Sequence, residues 1–167
     1  TSPSYARCSS GCRAASRAAS PRFRVSMLVP AIIRRMDQPQ GTVLQLDAEH
    51  AAFIQGAVSV VVGSRNTQHV PDVVRGCGCR VSRDRRRVTV LVEAARAGSV
   101  LDDIAANGLI AVVFSQPSTH RTIQLKGSDA RVTRVTGADR VIAQRHLQAW
   151  VQDLQLIGYA ADFARAV

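Results

Sequence analysis

The chain has 167 residues, 46% apolar and 20% charged, which suits one domain with its own core and leaves no run of the ~20 apolar residues that a membrane-spanning helix needs. A formal net charge of +10 suggests nucleic acid, but seven arginines fall in residues 1–35, where there is no acid, so the remainder sets fifteen cations against twelve acids. That near balance, with no aromatic residue beside the basic turn 83–87 for bases to stack on, argues against a nucleic-acid surface on the folded part.

Residues 1–36 are rich in Ser, Ala and Arg and show no sustained hydrophobic period. They read as a disordered, non-native or targeting extension. Composition changes sharply at Met36, so a single domain is expected over 37–167, and its end at Val167, shortly after a long helix, reads as truncated. From Asp47 the pattern becomes regular. Asp47 caps a short helix over 48–55 that Gly56 ends. Residues 58–63 form a continuous β-branched run, hence a buried strand, and a polar turn at 65–68 leads to a second strand over 73–81.

In that second strand Val73, Arg75, Cys77, Cys79 and Val81 are expected on one face, with Gly76 and Gly78 leaving a gap on the other. Such a gap marks a bulge, a barrel corner or a place where a ligand approaches the backbone. Two thiols on one face are half of a tetrahedral metal site, and no second pair in the folded part completes it, so no metal is expected. Cysteines used this way, without a disulfide framework, imply a reducing cytoplasm.

A charged turn over 82–87 precedes a third strand at 88–92. Ser99 is expected to cap a helix over 100–107, with Asp102 and Asp103 in its first turn and Gly108 past its end. A strand follows at Ile110–Ser115, Pro117 breaks it, a fifth strand runs over 120–126, and a further one over 130–135. Thr136 with Asp139 resembles a capping box for a helix reaching Ile157, with an apolar stripe of Ala143, Leu147, Trp150, Val151, Leu154 and Ile157. Short strands joined by tight turns, with helices inserted rather than alternating, predict an α+β fold: a small antiparallel barrel with short peripheral helices and a C-terminal helix.

The chemistry concentrates in FSQPSTHRTIQLKG, residues 114–127. Alternation puts His120, Thr122, Gln124 and Lys126 on one face and Arg121, Ile123 and Leu125 on the other. Arg121 thus heads an apolar stripe, next to the hydroxyls of Ser118 and Thr119 and the amides of a turn, a combination suited to an anion such as phosphate. His120 reads as an exposed or capping histidine.

The stretch GLIAVVFSQPSTHRTIQLKG (108–127), following LDDIAANG (101–108), resembles the pyridoxamine 5′-phosphate oxidase-like family of split β-barrels that bind flavin mononucleotide (FMN). The resemblance covers roughly 58–135. It implies a homodimer with the flavin at the subunit interface. It further implies Arg96, Ser99 and Arg121 at the phosphate with Thr119 of the elbow beside them, Ser115 and Thr122 at ring or ribityl oxygens, Lys126 as a peripheral cation, and Arg75 and Arg80 as the basic residues of the flavin-contacting strand. Where the family carries an adjacent Arg-Lys pair before the short helix, this chain reads Gly98-Ser99-Val100, and the C-terminal residues that read a pyridoxal ring have no counterpart. The expected function is therefore that of an FMN-dependent oxidoreductase acting on an unidentified small molecule, and not a true pyridoxamine phosphate oxidase. Two alternatives stand beside it: a non-catalytic module on the same fold that holds flavin or haem, and a basic nucleic-acid interaction protein supported by the arginine-rich leader.

Overall fold

The computed structural model describes residues 22–28 and 45–166. In chain order these form β1 (Arg22–Leu28), α1 (Ala48–Ile54), β2 (Ser59–Arg65), β3 (Pro71–Val81), β4 (Arg87–Glu93), a 3-10 turn (Ala94–Arg96), α2 (Gly98–Asn107), β5 (Ile110–Ser115), β6 (Thr122–Gly127), β7 (Arg131–Arg134), α3 (Gly137–Leu156) and α4 (Ala161–Ala166). The fold is α+β, as expected. Its seven strands form one sheet in the order β6-β5-β2-β3-β4-β1-β7, every pairing antiparallel. β1 lies inside the stretch set apart as an extension; it pairs with β4 from Arg22↔Glu93 to Leu28↔Arg87, and with β7 from Phe23↔Arg134 to Ser26↔Arg131. Met36, and two further cysteines of the sequence, Cys8 and Cys12, lie outside the described residues.

No hydrogen-bonded pairing joins β6 to β7 among the described residues, so the sheet is open. It is not flat. Six strand spacings would separate its edges by roughly 29 Å, whereas β6 ends at Gly127 and β7 begins at Arg131, and three intervening residues reach at most about 14 Å. The sheet therefore rolls until its two edges approach, and the Ala130 N–H donates to the Gly108 carbonyl (3.0 Å), tying the link to the end of α2.

The inner face of the roll is the core. Val60 and Val62 of β2, Val74 of β3, Val112 and Phe114 of β5 and Leu125 of β6 are buried there with Ile54 of α1 and Val100 and Ile104 of α2. All five residues of β4 from Val88 to Val92, Thr89 among them, are buried, so it has no solvent face to alternate with. Gly76 is a packing requirement, because a Cβ there would stand 2.7 Å from Val60 Cγ1 and 3.3 Å from Val90 Cγ1.

Three expectations need correction. Cys77 and Cys79 do not share a face: the β3–β4 register slips between Gly76 and Cys79, Gly78 takes a left-handed φ of 140°, and the bulge turns Cys79 into the core. There the Cys79 thiol donates to the Ile54 carbonyl (2.9 Å), and burial pushes its pKa up to about 12. Ser99 does not cap α2, which starts at Gly98 with Ala97 as its N-cap; the Ser99 hydroxyl instead donates to the Asp72 carboxylate on β3, and Asp102 and Asp103 fall beyond the first turn. The capping box of Thr136 and Asp139 on α3 is present, and Ala143, Trp150, Val151 and Leu154 are buried, but Leu147 and Ile157 of the expected stripe are exposed. Beyond Gly158 the chain adds α4, whose Ala164 packs with Trp150, Val151 and Leu154 in a second, smaller cluster.

Candidate functional site

α3 crosses the outer face of the sheet and divides it. At β3 it lies over the bulge, where a Cβ on Gly78 would meet His146, Ile142 and Ala143 within 3.6 Å. Midway, the Arg75 guanidinium stacks over the Trp150 ring at 4.6 Å. At the far end Asp153, only 3% exposed, reaches the β5–β6 elbow. Its carboxylate accepts from Gln116 Nε2 (3.0 Å), from the Ser118 backbone N–H (3.1 Å) and from the Ser118 hydroxyl (2.6 Å).

The elbow is thus an anion nest that the chain fills with its own carboxylate. Arg121 is engaged as well, pairing with Glu49 (2.8 Å) and lying 4.5 Å over the Phe53 ring, both on α1. The Thr119 hydroxyl donates to Gln116 Oε1 (3.1 Å), and the hydroxyls of Ser115 and Thr122 share a hydrogen bond (2.8 Å) across the β5–β6 pair. These four predicted site residues are together, in a structural joint between sheet and helices.

The part of the outer face that α3 leaves bare holds a cavity of about 540 Å³ between β2, β3, β5 and β6. Register builds its floor: Lys126 is opposite Ala111, Ala111 opposite Gly63, and Gly63 opposite Val73, so these four side-chain positions form one row on the same face. Val73 and Val61 stand out to solvent at 66% and 39% exposure. Arg65, His69 and Ser128 complete the rim.

Gly63 differs from Gly76 in a telling way. An added Cβ would meet nothing nearer than 3.7 Å, and its φ is unremarkable, so neither packing nor backbone demands glycine there. Glycine weakens a strand interior by leaving nothing to pack. What its missing side chain does at this position is keep the cavity floor flat.

Of the remaining predicted residues, Lys126 lines the cavity and Ser99 touches it through Asp72. Arg75 is held on α3 by its stack on Trp150 and does not line the cavity. Arg80 lies elsewhere, 3.8 Å from the buried Asp139, and Arg96 pairs with Glu93 on an exposed turn. The predicted set therefore divides between elbow, cavity and the α3 joint rather than forming one site. Sequence reasoning passed over Gly63, Arg65 and His69, although a glycine inside a β-branched strand is itself a signal. Among the described residues no group of three or more metal-ligating side chains comes together, and no helix is long and apolar enough to cross a membrane. In comparisons with known proteins, no protein family, no curated protein and no solved structure matches this chain.

Proposed function

We propose that this chain is an FMN-binding protein of the split-barrel type, a homodimer with the flavin on the bare outer face of β2, β3, β5 and β6, and that it serves as an oxidoreductase toward a small molecule. The observation that carries this reading is Gly63. Its absent side chain and the small Ala111 beside it give a planar floor, flanked by Val61 and Val73, on which a planar ring can lie. The cavity volume falls within the roughly 300–1,000 Å³ of small-molecule sites. A rolled, open antiparallel sheet with its edges drawn together supports the split-barrel assignment. The exposed valines support a second copy closing the site, since an apolar sheet face beside a polar rim is how such contacts are built.

A bound flavin would supply the hydride chemistry, and the chain would orient it and hold positive charge nearby. Lys126 and Arg65 provide that charge.

The test is Gly63→Val. Valine favours strands and its Cβ meets nothing nearer than 3.7 Å, so the fold should be kept, while quenching of flavin fluorescence on titration with the protein should be lost. Wild-type protein that leaves added FMN fluorescence unchanged would end this reading, as would undiminished binding by the valine variant. Light scattering should report a dimer for the wild type and a monomer for Val73→Asp. A second reading, a flavin holder without turnover, is favoured by Asp72, whose carboxylate is taken up by Ser99 and the Val73 N–H rather than left as a base. Stopped-flow mixing with a nicotinamide reductant separates the two, because only the enzyme bleaches its flavin within a catalytic time.

A further inference from the structure

We propose that Arg65, His69 and Lys126 form an anion subsite on the rim of the cavity, built for the phosphate or carboxylate of whatever molecule enters it. The inference rests on the cavity being a ligand site, as argued above, but not on that ligand being a flavin.

Charge is the first ground. Arg65 and Lys126 line one cavity from strands separated by β5, and among the described residues neither has a carboxylate partner. Asp72 is the sole acid among the lining residues, and its oxygens are occupied by the Ser99 hydroxyl and the Val73 N–H. Two cations against one carboxylate leave the lining with a net positive charge, and an anion between Arg65 and Lys126 is attracted by both.

Preorganisation is the second. His69 has a left-handed φ of 65°, a conformation that non-glycine residues rarely adopt, and the loop holds it there. Asn66 Oδ1 accepts from the N–H groups of Gln68 (2.9 Å) and Val70 (3.0 Å), while the His69 N–H donates to the Asn66 carbonyl (3.1 Å). This turn delivers the imidazole to Arg65, whose Nη1 lies 2.6 Å from His69 Nδ1. A guanidinium has donors only, so in this contact His69 Nδ1 accepts from Arg65 and Nε2 faces away from it. The pair then presents the rest of the Arg65 fork and the second imidazole nitrogen. From below, Asn107 Nδ2 donates to the Arg65 carbonyl (2.7 Å), fixing the backbone that carries the fork. Strained turn, aimed ring and anchored arginine together are more than a surface scatter of basic residues.

The probe is inorganic pyrophosphate, titrated calorimetrically into the full chain at low ionic strength. Wild type should bind it saturably at one site per chain. Arg65→Met and Lys126→Met should each weaken binding about tenfold, the effect of losing one charge-assisted contact, while Arg96→Met, outside the cavity, should leave it unchanged. No saturable binding, or equal losses in all three variants, would overturn the subsite. If FMN binds more tightly than riboflavin and pyrophosphate displaces it, the anion accommodated is the flavin's own phosphate. If the two flavins bind equally and pyrophosphate binds alongside them, the subsite receives the anionic group of the substrate. Pyrophosphate binding without binding of either flavin would sink the flavin reading and leave the subsite standing.

Discussion

Asp153 is the residue on which the elbow depends. Its three hydrogen bonds join a buried carboxylate to the part-buried Gln116 and Ser118, so Asp153→Ala should cost about 1–3 kcal/mol in a urea melt, with the loss seen mainly as detachment of α3 from the sheet. A change below about 0.5 kcal/mol would show that the joint is not stressed in this way. The elbow's hydroxyls, its amide and its proline told plainly of an anion; they did not tell which one, because the carboxylate that answers them is on a helix 35 residues downstream. His146, between α3 and the bulge, titrates against the fold. Burial lowers its pKa from the ordinary 6.5 and the nearby Arg75 adds to this, with the contact to the Gly56 backbone opposing. Because the unfolded chain takes up that proton first, the stability associated with neutral His146 is full above about pH 6.5 and declines as the pH falls below it. Denaturant melts from pH 7.5 down to 5 should therefore show a loss that His146→Gln removes; identical slopes for the two proteins would refute it.

Among the elements, β3 is where close packing and sequence pattern part company. Gly76→Ala drives a methyl against a stiff valine in the neighbouring strand and should destabilise by about 1–3 kcal/mol, read by thermal melting, in contrast to the tolerance expected at Gly63. Strand after strand was legible because β-branched runs bounded by Gly, Pro and charged turns carry their own period; β5 was found residue for residue, and α1 and α3 were announced by Asp47 and by Thr136 with Asp139. The face assignment beyond Gly76 failed because one inserted residue inverts every side chain after it, and alternation has no means of recording an insertion. Ser99 misled for a different reason. It has the chemistry of a cap, but Asp72, 27 residues earlier, offers its hydroxyl a carboxylate that local pattern cannot foresee. β1 went unread because its neighbours in sequence, arginine-rich and acid-free, hid a seven-residue strand whose partners are far away.

At the level of the molecule, the sheet is continuous only through β1, which stands between β4 and β7. A chain trimmed to begin at Asp37, the boundary that composition alone recommends, would leave both of those strands with bare edges, and exposed edges pair with other chains. Such a protein should precipitate or form large assemblies in light scattering, whereas the full chain should not; a monodisperse trimmed protein with an unchanged melting temperature would show that β1 is dispensable. The same placement sets the order of manufacture against the order of assembly. The ribosome releases β1 before any other strand described here, yet the slot it fills is complete only when β7 emerges roughly a hundred residues afterwards, a wait of about 5–20 s at ordinary translation speed. Throughout that interval the newborn segment must be kept from foreign partners, so this protein's yield in a cell should depend on holdase chaperones more than its modest size suggests.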